Sequence, residues 1–243
     1  MDLRQYIQKL AELGQLAAVE EEVDWNLQAS ALAAMSNRIG GPALQFKNIK
    51  GYPGMGLVSG LFTGPANVHL KREKPWSRHA VAAGLDLTAP WEKLVGRFME
   101  AAIQRIPPVQ VTSGPCKEKT LLGREAQITK LPIPYLHQGD GGRYGSLSAL
   151  TVKDPETGWQ YWGFHRWMVV SPHELTGPLE PVIGPFMAMP PYHLTVIAQK
   201  YHARGEAMPF CIILGGDPAL FLASCVHVLF GFDQMGLAGG LRR

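Results

Sequence analysis

The segment Tyr161–Trp167 carries the residues with the clearest chemical potential. It reads Tyr-Trp-Gly-Phe-His-Arg-Trp, so one histidine and one arginine lie among four aromatic side chains. A continuous strand would place His165 on one face and Arg166 on the other. An arginine among bulky aromatic rings is expected to be at least partly buried, and a buried guanidinium needs an anionic partner. That partner is either a carboxylate of the protein or the carboxylate or phosphate of a ligand.

His193 is a second candidate, because it follows Pro190-Pro191-Tyr192 at the predicted start of a helix. Helix N-termini attract anions, and an imidazole there can contact phosphate or metal. A lone histidine is also often structural, and no His-x-x-x-His or His-x-His pair gives metal-ligand spacing. The residues alone therefore predict an anion-binding site at Arg166, with His193 as a second candidate, and define no reaction.

The glycine-rich segment His137–Gly145 is a third candidate. Its glycines lie beside Asp140, Arg143 and Tyr144, which suits a loop whose backbone approaches a ligand or another chain. A structural turn before a strand explains the same composition. No nucleophile elbow, P-loop or Cys/His pair is present, so there is no support for acyl transfer or nucleotide hydrolysis.

Composition narrows the class of protein. The 243 residues are 46% hydrophobic and 18% charged, which predicts a folded globular chain. A net charge of +3 without a dense basic run excludes a nucleic-acid binder that depends mainly on charge. Three scattered cysteines favour a reducing compartment over a disulfide framework. Because neither a long apolar run nor a signal peptide is found, we expect a cytoplasmic protein without a membrane span.

Hydrophobic periodicity and turn residues predict the elements that must position these candidates. Helices are expected at 3–13 before Gly14, 27–39 before Gly40, 91–99, 192–204, and from the Asp217-Pro218 cap onward. Strands are expected at 15–23, 43–49, 56–62, 147–152, 161–170 and 210–214, the last one buried. Glu20–Glu22 should form a solvated edge.

The double proline Pro107-Pro108 is a natural linker between two regions of different texture. We therefore predict an N-terminal mixed α/β domain over residues 1–110. A second domain should cover residues 111–243, with short strands and tight turns.

Several of these segments together resemble the UbiD-type decarboxylases. The resemblance covers essentially the whole chain, and its motifs occur in order, which makes it specific. The segments that carry it are Met1–Leu16, Gly41–Leu44, Phe46–Pro53, Leu131–Pro134, Gly139–Tyr144, Lys153–Pro155, Thr157–Trp159, Gly215–Ala219 and Ala238–Arg242.

The resemblance implies a reversible, non-oxidative decarboxylase of aromatic or α,β-unsaturated carboxylic acids that uses prenylated FMN. Loss of CO2 from an sp2 carbon leaves an electron pair that a cofactor must accept. The implied fold is an N-terminal α/β domain, a central split β-barrel that binds the flavin, and a C-terminal oligomerisation domain. Implied partners are a flavin prenyltransferase that supplies the cofactor and further subunits of a homo-oligomer.

The resemblance also assigns roles to residues. It places Arg166 beside the flavin and the substrate carboxylate, and His193 at the metal and cofactor phosphate. Mn2+ or Mg2+ would bind the phosphate, with K+ nearby. The remaining flavin-binding positions are Trp162, Gly163, Phe164, His165, Tyr192, Ser224 and Cys225.

Two departures from the family pattern concern the metal. Tyr161 stands where the family has an asparagine ligand, and Gln234 where it has a glutamate ligand. A phenol and a neutral amide are poor ligands for a hard divalent cation. The family's catalytic glutamate and its C-terminal domain also find no match before Arg243. The chain is therefore expected to be the N-terminal portion of such an enzyme, truncated or dependent on a partner. The alternative is a non-catalytic subunit or remnant that binds a partner chain or a flavin.

Overall fold

A computed structural model of the chain describes residues 1–176 and 193–243. Up to residue 110 the elements are mixed. They are α1 (Leu3–Glu12), β1 (Leu16–Val23), α2 (Gln28–Arg38), β2 (Ala43–Ile49), β3 (Leu57–Ser59), α3 (Val68–Glu73), α4 (Ser77–Ala82) and α5 (Trp91–Ile103). The later described elements are β4 (Tyr144–Gly145), β5 (Ser148–Lys153), β6 (Gln160–Phe164), β7 (Trp167–Ser171), β8 (Glu174–Thr176), α6 (His193–Ala203), β9 (Phe210–Leu214), α7 (Pro218–Cys225) and α8 (Gln234–Arg242).

The N-terminal sheet has the order β1-β2-β3, with β1 parallel to β2 and β3 antiparallel to it. Helix α1 begins at a capping box formed by Asp2 and Gln5, and the chain leaves it through Gly14 at φ +65°. Glu20–Glu22 lie exposed on the outer strand β1, which confirms the predicted solvated edge. The third strand is shorter than the predicted 56–62 segment.

Helices α7 and α8 pack into the same core as the N-terminal helices. Gly239 and Gly240 make this possible, since a Cβ on Gly239 would lie 2.0 Å from the Ile106 carbonyl oxygen and one on Gly240 2.7 Å from that of Ala101. The shared core therefore joins chain segments from both sides of residue 110. Its fully buried members include Tyr6, Leu10, Leu94, Ala101, Ala223, Leu237 and Leu241.

Beyond residue 110 the described strands form two three-stranded sheets, β4-β7-β8 and β6-β5-β9. The described residues form a mixed α/β chain in which no closed barrel is present, so the incomplete split barrel expected for residues 111–243 is not confirmed. The β5–β6 hairpin and its turn, Lys153–Gly158, match the prediction. Sheet β6-β5-β9 packs against α7 through Ala149 and against α6 through Leu150.

Two strand predictions were wrong in detail. The segment 161–170 is not one strand, because it breaks at His165-Arg166 and its second half pairs in the other sheet. Strand β9 is not buried: Phe210 is 56% exposed and Leu214 41% exposed. Both side chains lie on the outermost strand of their sheet, where no neighbouring described strand covers them.

Candidate functional site

His193 is the first residue of α6, and its ring is surrounded by other aromatic rings. Its Nε2 lies 2.7 Å from the carbonyl oxygen of Val228. Because a carbonyl only accepts, Nε2 carries the proton and donates this hydrogen bond. Three rings meet His193 edge-on at centroid distances of 5.4–5.6 Å, and one stacks on it at 6.0 Å. We call this set the aromatic cluster: His193 with Trp159, Tyr161, Phe230 and His227.

Tyr161 and His165 form a pair directly above Gly163. The Tyr161 hydroxyl lies 3.2 Å from His165 Nε2, so the predicted sharing of one face by these residues is confirmed. A Cβ on Gly163 would lie 2.4 Å from the hydroxyl and 2.3 Å from Nε2. Only glycine leaves room for this pair. Burial lowers the pKa of His165, which favours a neutral imidazole near pH 7.

Gln234 is a buried crosslink between three elements. Gln234 is the first residue of α8 and is only 1% exposed. Oε1 accepts a hydrogen bond from the Trp162 backbone N–H at 2.9 Å, and Nε2 donates to the Ala223 carbonyl at 3.3 Å. The amide therefore uses both its acceptor and one donor to join β6, α7 and α8. A carboxylate could make the first bond but not the second.

Trp162 and Phe164 point to the opposite side of β6, toward α7. Trp162 is 6% exposed and packs with Leu220 and Phe221, while the Phe164 ring lies 6.5 Å from that of Phe221. The buried indole N–H of Trp162 has no hydrogen-bond partner among the described residues. These two residues contribute to the packing of the sheet on α7.

Ser224 and Cys225 form the end of α7. The buried Ser224 hydroxyl donates to the Phe221 carbonyl at 2.9 Å, within its own helix. Cys225 has an exposed surface, yet neighbouring atoms partly desolvate its sulfur and raise the pKa of the thiol. A protonated thiol is a weak nucleophile. Neither residue is set up for covalent chemistry.

Arg166 occupies the break between β6 and β7 with an exposed side chain. The expected partial burial among aromatic rings is not observed, because the strand ends before Arg166 is reached. No hydrogen bond or ion pair joins its guanidinium to another residue within 1–176 or 193–243, and no contact with His193 is present there. Convergence of Arg166 and His193 on one ligand stays a prediction. Tyr192 lies outside the described residues.

Next to the aromatic cluster lies an ion-pair network that the sequence did not reveal. Lys200 of α6 reaches Asp154 at 2.6 Å and Glu156 at 2.8 Å, both in the β5–β6 turn, and its Nζ lies 5.2 Å from the Phe230 ring centre. Burial alone would raise the pKa of Asp154. Hydrogen bonds from Lys200 and the turn backbone outweigh it and lower that pKa to about 2.

The glycine-rich segment is tied to the N-terminal region. Asp140 accepts a hydrogen bond from the His137 backbone at 2.9 Å, as in a local turn. The Arg143 guanidinium lies 3.7 Å from the ring centre of Trp25 and donates to the Tyr52 hydroxyl at 2.6 Å. These contacts use the charged side chains of the segment, so the structural interpretation fits it better than a ligand loop.

Comparison with known protein families identifies the chain. Residues 7–98 match the 3-octaprenyl-4-hydroxybenzoate carboxy-lyase N-terminal domain, and residues 108–243 match the Rift-related domain of the same carboxy-lyase. The second match alone covers more than half of the chain. The protein belongs to the UbiD family, and its chain corresponds to the N-terminal portion of the family's members.

Individual relatives agree with this assignment. The chain is 29% identical to pyrrole-2-carboxylic acid decarboxylase of Pseudomonas aeruginosa and 30% identical to ferulic acid decarboxylase 1 of Saccharomyces cerevisiae, each over 99% of this chain and 47% of the relative. It also resembles an evolved dimeric form of the UbiD-class enzyme HmfF from Pelotomaculum thermopropionicum in complex with prFMN. That match has a TM-score of 0.81 and 26% identity, over 99% of this chain and 50% of HmfF. The chain thus spans about half the length of these relatives.

The family implies a divalent metal, and the donor set of the described residues does not fit one. Of the three matched positions, Tyr161 pairs with His165, Gln234 is bonded at both ends of its amide, and His193 uses Nε2 for Val228. Within the described ranges no three His, Cys, Asp or Glu side chains lie together as metal ligands. In the same ranges no helix has the length and hydrophobicity needed to cross a bilayer.

Proposed function

We propose that this chain is the flavin-domain portion of a UbiD-class carboxy-lyase. Its substrate would be a small aromatic or α,β-unsaturated carboxylic acid, and its cofactor prenylated FMN. Family membership and relatives named as decarboxylases of pyrrole-2-carboxylic and ferulic acid support the reaction class. The flavin is supported by HmfF, whose structure contains prFMN. We further propose that the two C-terminal sheets are parts of a split barrel.

The observation that supports this proposal most directly is that the Arg166 side chain is exposed. Its guanidinium is exposed and has no carboxylate partner among the described residues, at the position that the family resemblance assigns to substrate and flavin. A planar guanidinium can bind a carboxylate through two parallel hydrogen bonds. The same group suits a flavin phosphate, so the residues present fit an anionic flavin even though they do not fit the metal.

The reaction to be supported is R–COO⁻ plus H⁺ giving R–H plus CO2. The bond between the ring or vinyl carbon and the carboxyl carbon breaks, and the electron pair stays on the former. Prenylated FMN, when bound, supplies an electron sink for that pair. Arg166 would hold the carboxylate in the orientation needed for cleavage, and a general acid must deliver the proton to carbon.

Four of the six acidic side chains described after residue 140 have structural partners, which makes them poorly placed to be that acid. Asp154 and Glu156 bind Lys200, Asp217 caps α7 and binds Arg242, and Asp233 caps α8. We therefore propose that the proton donor lies outside this chain, on a complementary subunit or on a further part of the same polypeptide. The exposed edge of β9, with Phe210 and Leu214, is a surface that such a partner could cover.

An activity assay tests this proposal. The chain, co-expressed with a flavin prenyltransferase, would be incubated with pyrrole-2-carboxylate, ferulate and other aromatic or acrylic acids. CO2 release and deuterium incorporation from solvent would be measured with the chain alone and with the polypeptide encoded after Arg243 or in an adjacent gene. We expect turnover only with the added polypeptide, and its loss in Arg166→Ala. Turnover by the chain alone would contradict the external proton donor.

A second function is favoured by the unsuitable metal positions. A UbiD-like subunit that has lost catalysis would keep the fold and bind a partner chain or a flavin. Absence of turnover in every combination, together with a stable complex in size-exclusion chromatography with light scattering, would favour this non-catalytic role over the carboxy-lyase.

A further inference from the structure

We infer that side-chain hydrogen bonds have replaced the divalent metal of this family in the present chain, so that it binds its anionic ligand without Mn2+ or Mg2+. The inference rests on family membership and on local geometry, and it is independent of the proposed activity. Three positions carry it: Gln234, Tyr161 and His193.

The surroundings of Gln234 select an amide. Its Nε2 faces the Ala223 carbonyl oxygen at 3.3 Å, while Oε1 takes the Trp162 backbone N–H at 2.9 Å. A glutamate here would turn an oxygen toward the Ala223 carbonyl, and a buried carboxylate would lack a cation to balance its charge. In this chain the neutral amide provides a hydrogen-bond partner for two backbone groups, the Trp162 N–H and the Ala223 carbonyl. The position has become part of the packing between β6, α7 and α8.

Tyr161 presents a phenol at the position where the family resemblance implies a metal ligand. Its hydroxyl meets His165 Nε2 at 3.2 Å over Gly163, and its ring lies edge-on to His193 with centroids 5.6 Å apart. A phenol oxygen is a poor ligand for a hard divalent cation, which prefers carboxylate, carbonyl or water oxygens. Among the described residues, four rings lie with their centroids within 6.0 Å of the His193 ring centroid.

His193 cannot hold the metal alone. Its Nε2 proton is donated to Val228, which leaves one imidazole nitrogen as a possible ligand. Mn2+ and Mg2+ prefer several carboxylate, carbonyl or water oxygens. The carboxylates of the adjacent ion-pair network, Asp154 and Glu156, are both engaged by Lys200. Among residues 1–176 and 193–243, no cluster of carboxylates lies at His193 to supply the negative oxygen donors that normally hold such a cation.

The direct test is Mn2+ binding by the unmodified chain, measured from the free-ion signal in electron paramagnetic resonance. We expect no saturable binding up to about 1 mM Mn2+. The companion measurement is FMN affinity by isothermal titration with Mn2+ or with EDTA, where we expect less than a twofold difference. Saturable binding at micromolar Mn2+, or a tenfold gain in FMN affinity, would overturn the inference.

The reciprocal experiment restores the ligands. The double variant Tyr161→Asn/Gln234→Glu should gain Mn2+ affinity by at least tenfold, whereas Gln160→Glu makes the same charge change at an exposed site of β6 and should gain none. Circular dichroism melting establishes that each variant is folded. A folded double variant without a gain would show that these positions do not decide metal binding. If the double variant fails to fold, Tyr161→Asn alone, which keeps the Gln234 crosslink, provides the same comparison at smaller amplitude.

The two hypotheses fail in different ways. If FMN binds in neither Mn2+ nor EDTA, the proposed flavin function is contradicted, while the Mn2+ measurement on the protein alone still decides the metal question. If FMN binds only with Mn2+, the flavin function stands and the metal inference is wrong.

Discussion

The Lys200 ammonium lies 2.6 Å from the fully buried carboxylate of Asp154, and this pair fastens α6 to the β5–β6 turn. The carboxylate also accepts the backbone N–H groups of Glu156 and Thr157 at 2.9 and 2.8 Å. Since α6 begins at His193, the ion pair fixes the helix that brings His193 to Trp159 and Tyr161. The candidate site is thus held by an ion pair two turns further along the same face of α6.

This pair predicts a dependence of stability on acid. The pKa of Asp154 falls from its ordinary value of 3.8 to about 2 in the folded chain, so its contribution is fully present above pH 4 and is lost as the pH falls from 4 to 2. We expect Asp154→Asn to lower the melting temperature at pH 7 by roughly 3–8 °C, with the difference from wild type shrinking toward pH 2. Glu156→Gln, at a more exposed carboxylate, is the control and should shift melting much less. An equal deficit of Asp154→Asn at pH 2 and pH 7 would contradict the assignment.

Gly163→Ala should destabilise the chain. Its methyl group would lie 2.3–2.4 Å from His165 Nε2 and the Tyr161 hydroxyl, so the pair must separate, at a cost of about 1–3 kcal/mol. Chemical denaturation followed by tryptophan fluorescence measures this. Gly139→Ala, where the added carbon meets nothing within 4 Å, should change the free energy of unfolding by less than about 0.5 kcal/mol. Equal effects of the two substitutions would speak against a close pair above Gly163.

Glycine-to-alanine substitutions in α5 and in α8 should change the stability of the chain in opposite directions. Gly239→Ala places a methyl group 2.0 Å from the Ile106 carbonyl oxygen and should force α8 away from its neighbour, lowering stability by more than about 2 kcal/mol. Gly96 lies exposed inside α5 with open space around it, and Gly96→Ala should raise stability by about 0.5–1 kcal/mol through helix propensity. Thermal melting of both variants provides the comparison, and a stabilised Gly239→Ala chain would disprove the close helix contact.

Arg166→Ala should separate binding from folding. Because the side chain is exposed and forms no hydrogen bond or ion pair with a described residue, we expect the free energy of unfolding to change by less than about 0.5 kcal/mol. Loss of charge-assisted hydrogen bonds should weaken FMN binding by about 10- to 100-fold. The matched control is Arg124→Ala, an exposed arginine in the 123–125 turn, which should leave both quantities unchanged. Undiminished FMN affinity in Arg166→Ala would remove Arg166 from the proposed site.

Local signals made much of the fold predictable. Gly14 follows the apolar period of α1, and Asp217-Pro218 gives the N-cap and first residue of α7; both helices are observed. The six-residue helices α3 and α4 are too short to show a period, so no pattern in the sequence indicates them. The exposure of β9 depends on which strands neighbour it, and no local pattern contains that information.

The candidate site was predictable only where its residues are close in sequence. Tyr161 and His165 share a face because of strand alternation, with glycine between them. Gln234 bonds the backbone of a residue 72 positions away, and Lys200 pairs with a carboxylate 46 positions away. Such contacts follow from the tertiary arrangement, so the sequence identified Gln234 as a departure from the family without indicating its hydrogen bonds.

The packing of α8 against α5 affects how the chain folds while it is being synthesised. The apolar face of α5 leaves the ribosome about 140 residues before the glycines that cover it, an interval of roughly 7–30 s at ordinary translation rates. During that time Leu94 and Ala101 lack the helix that buries them in the finished chain. We therefore expect the nascent N-terminal region to bind chaperones until α8 emerges, and pauses in translation between residues 110 and 230 to increase aggregation more than pauses before residue 90.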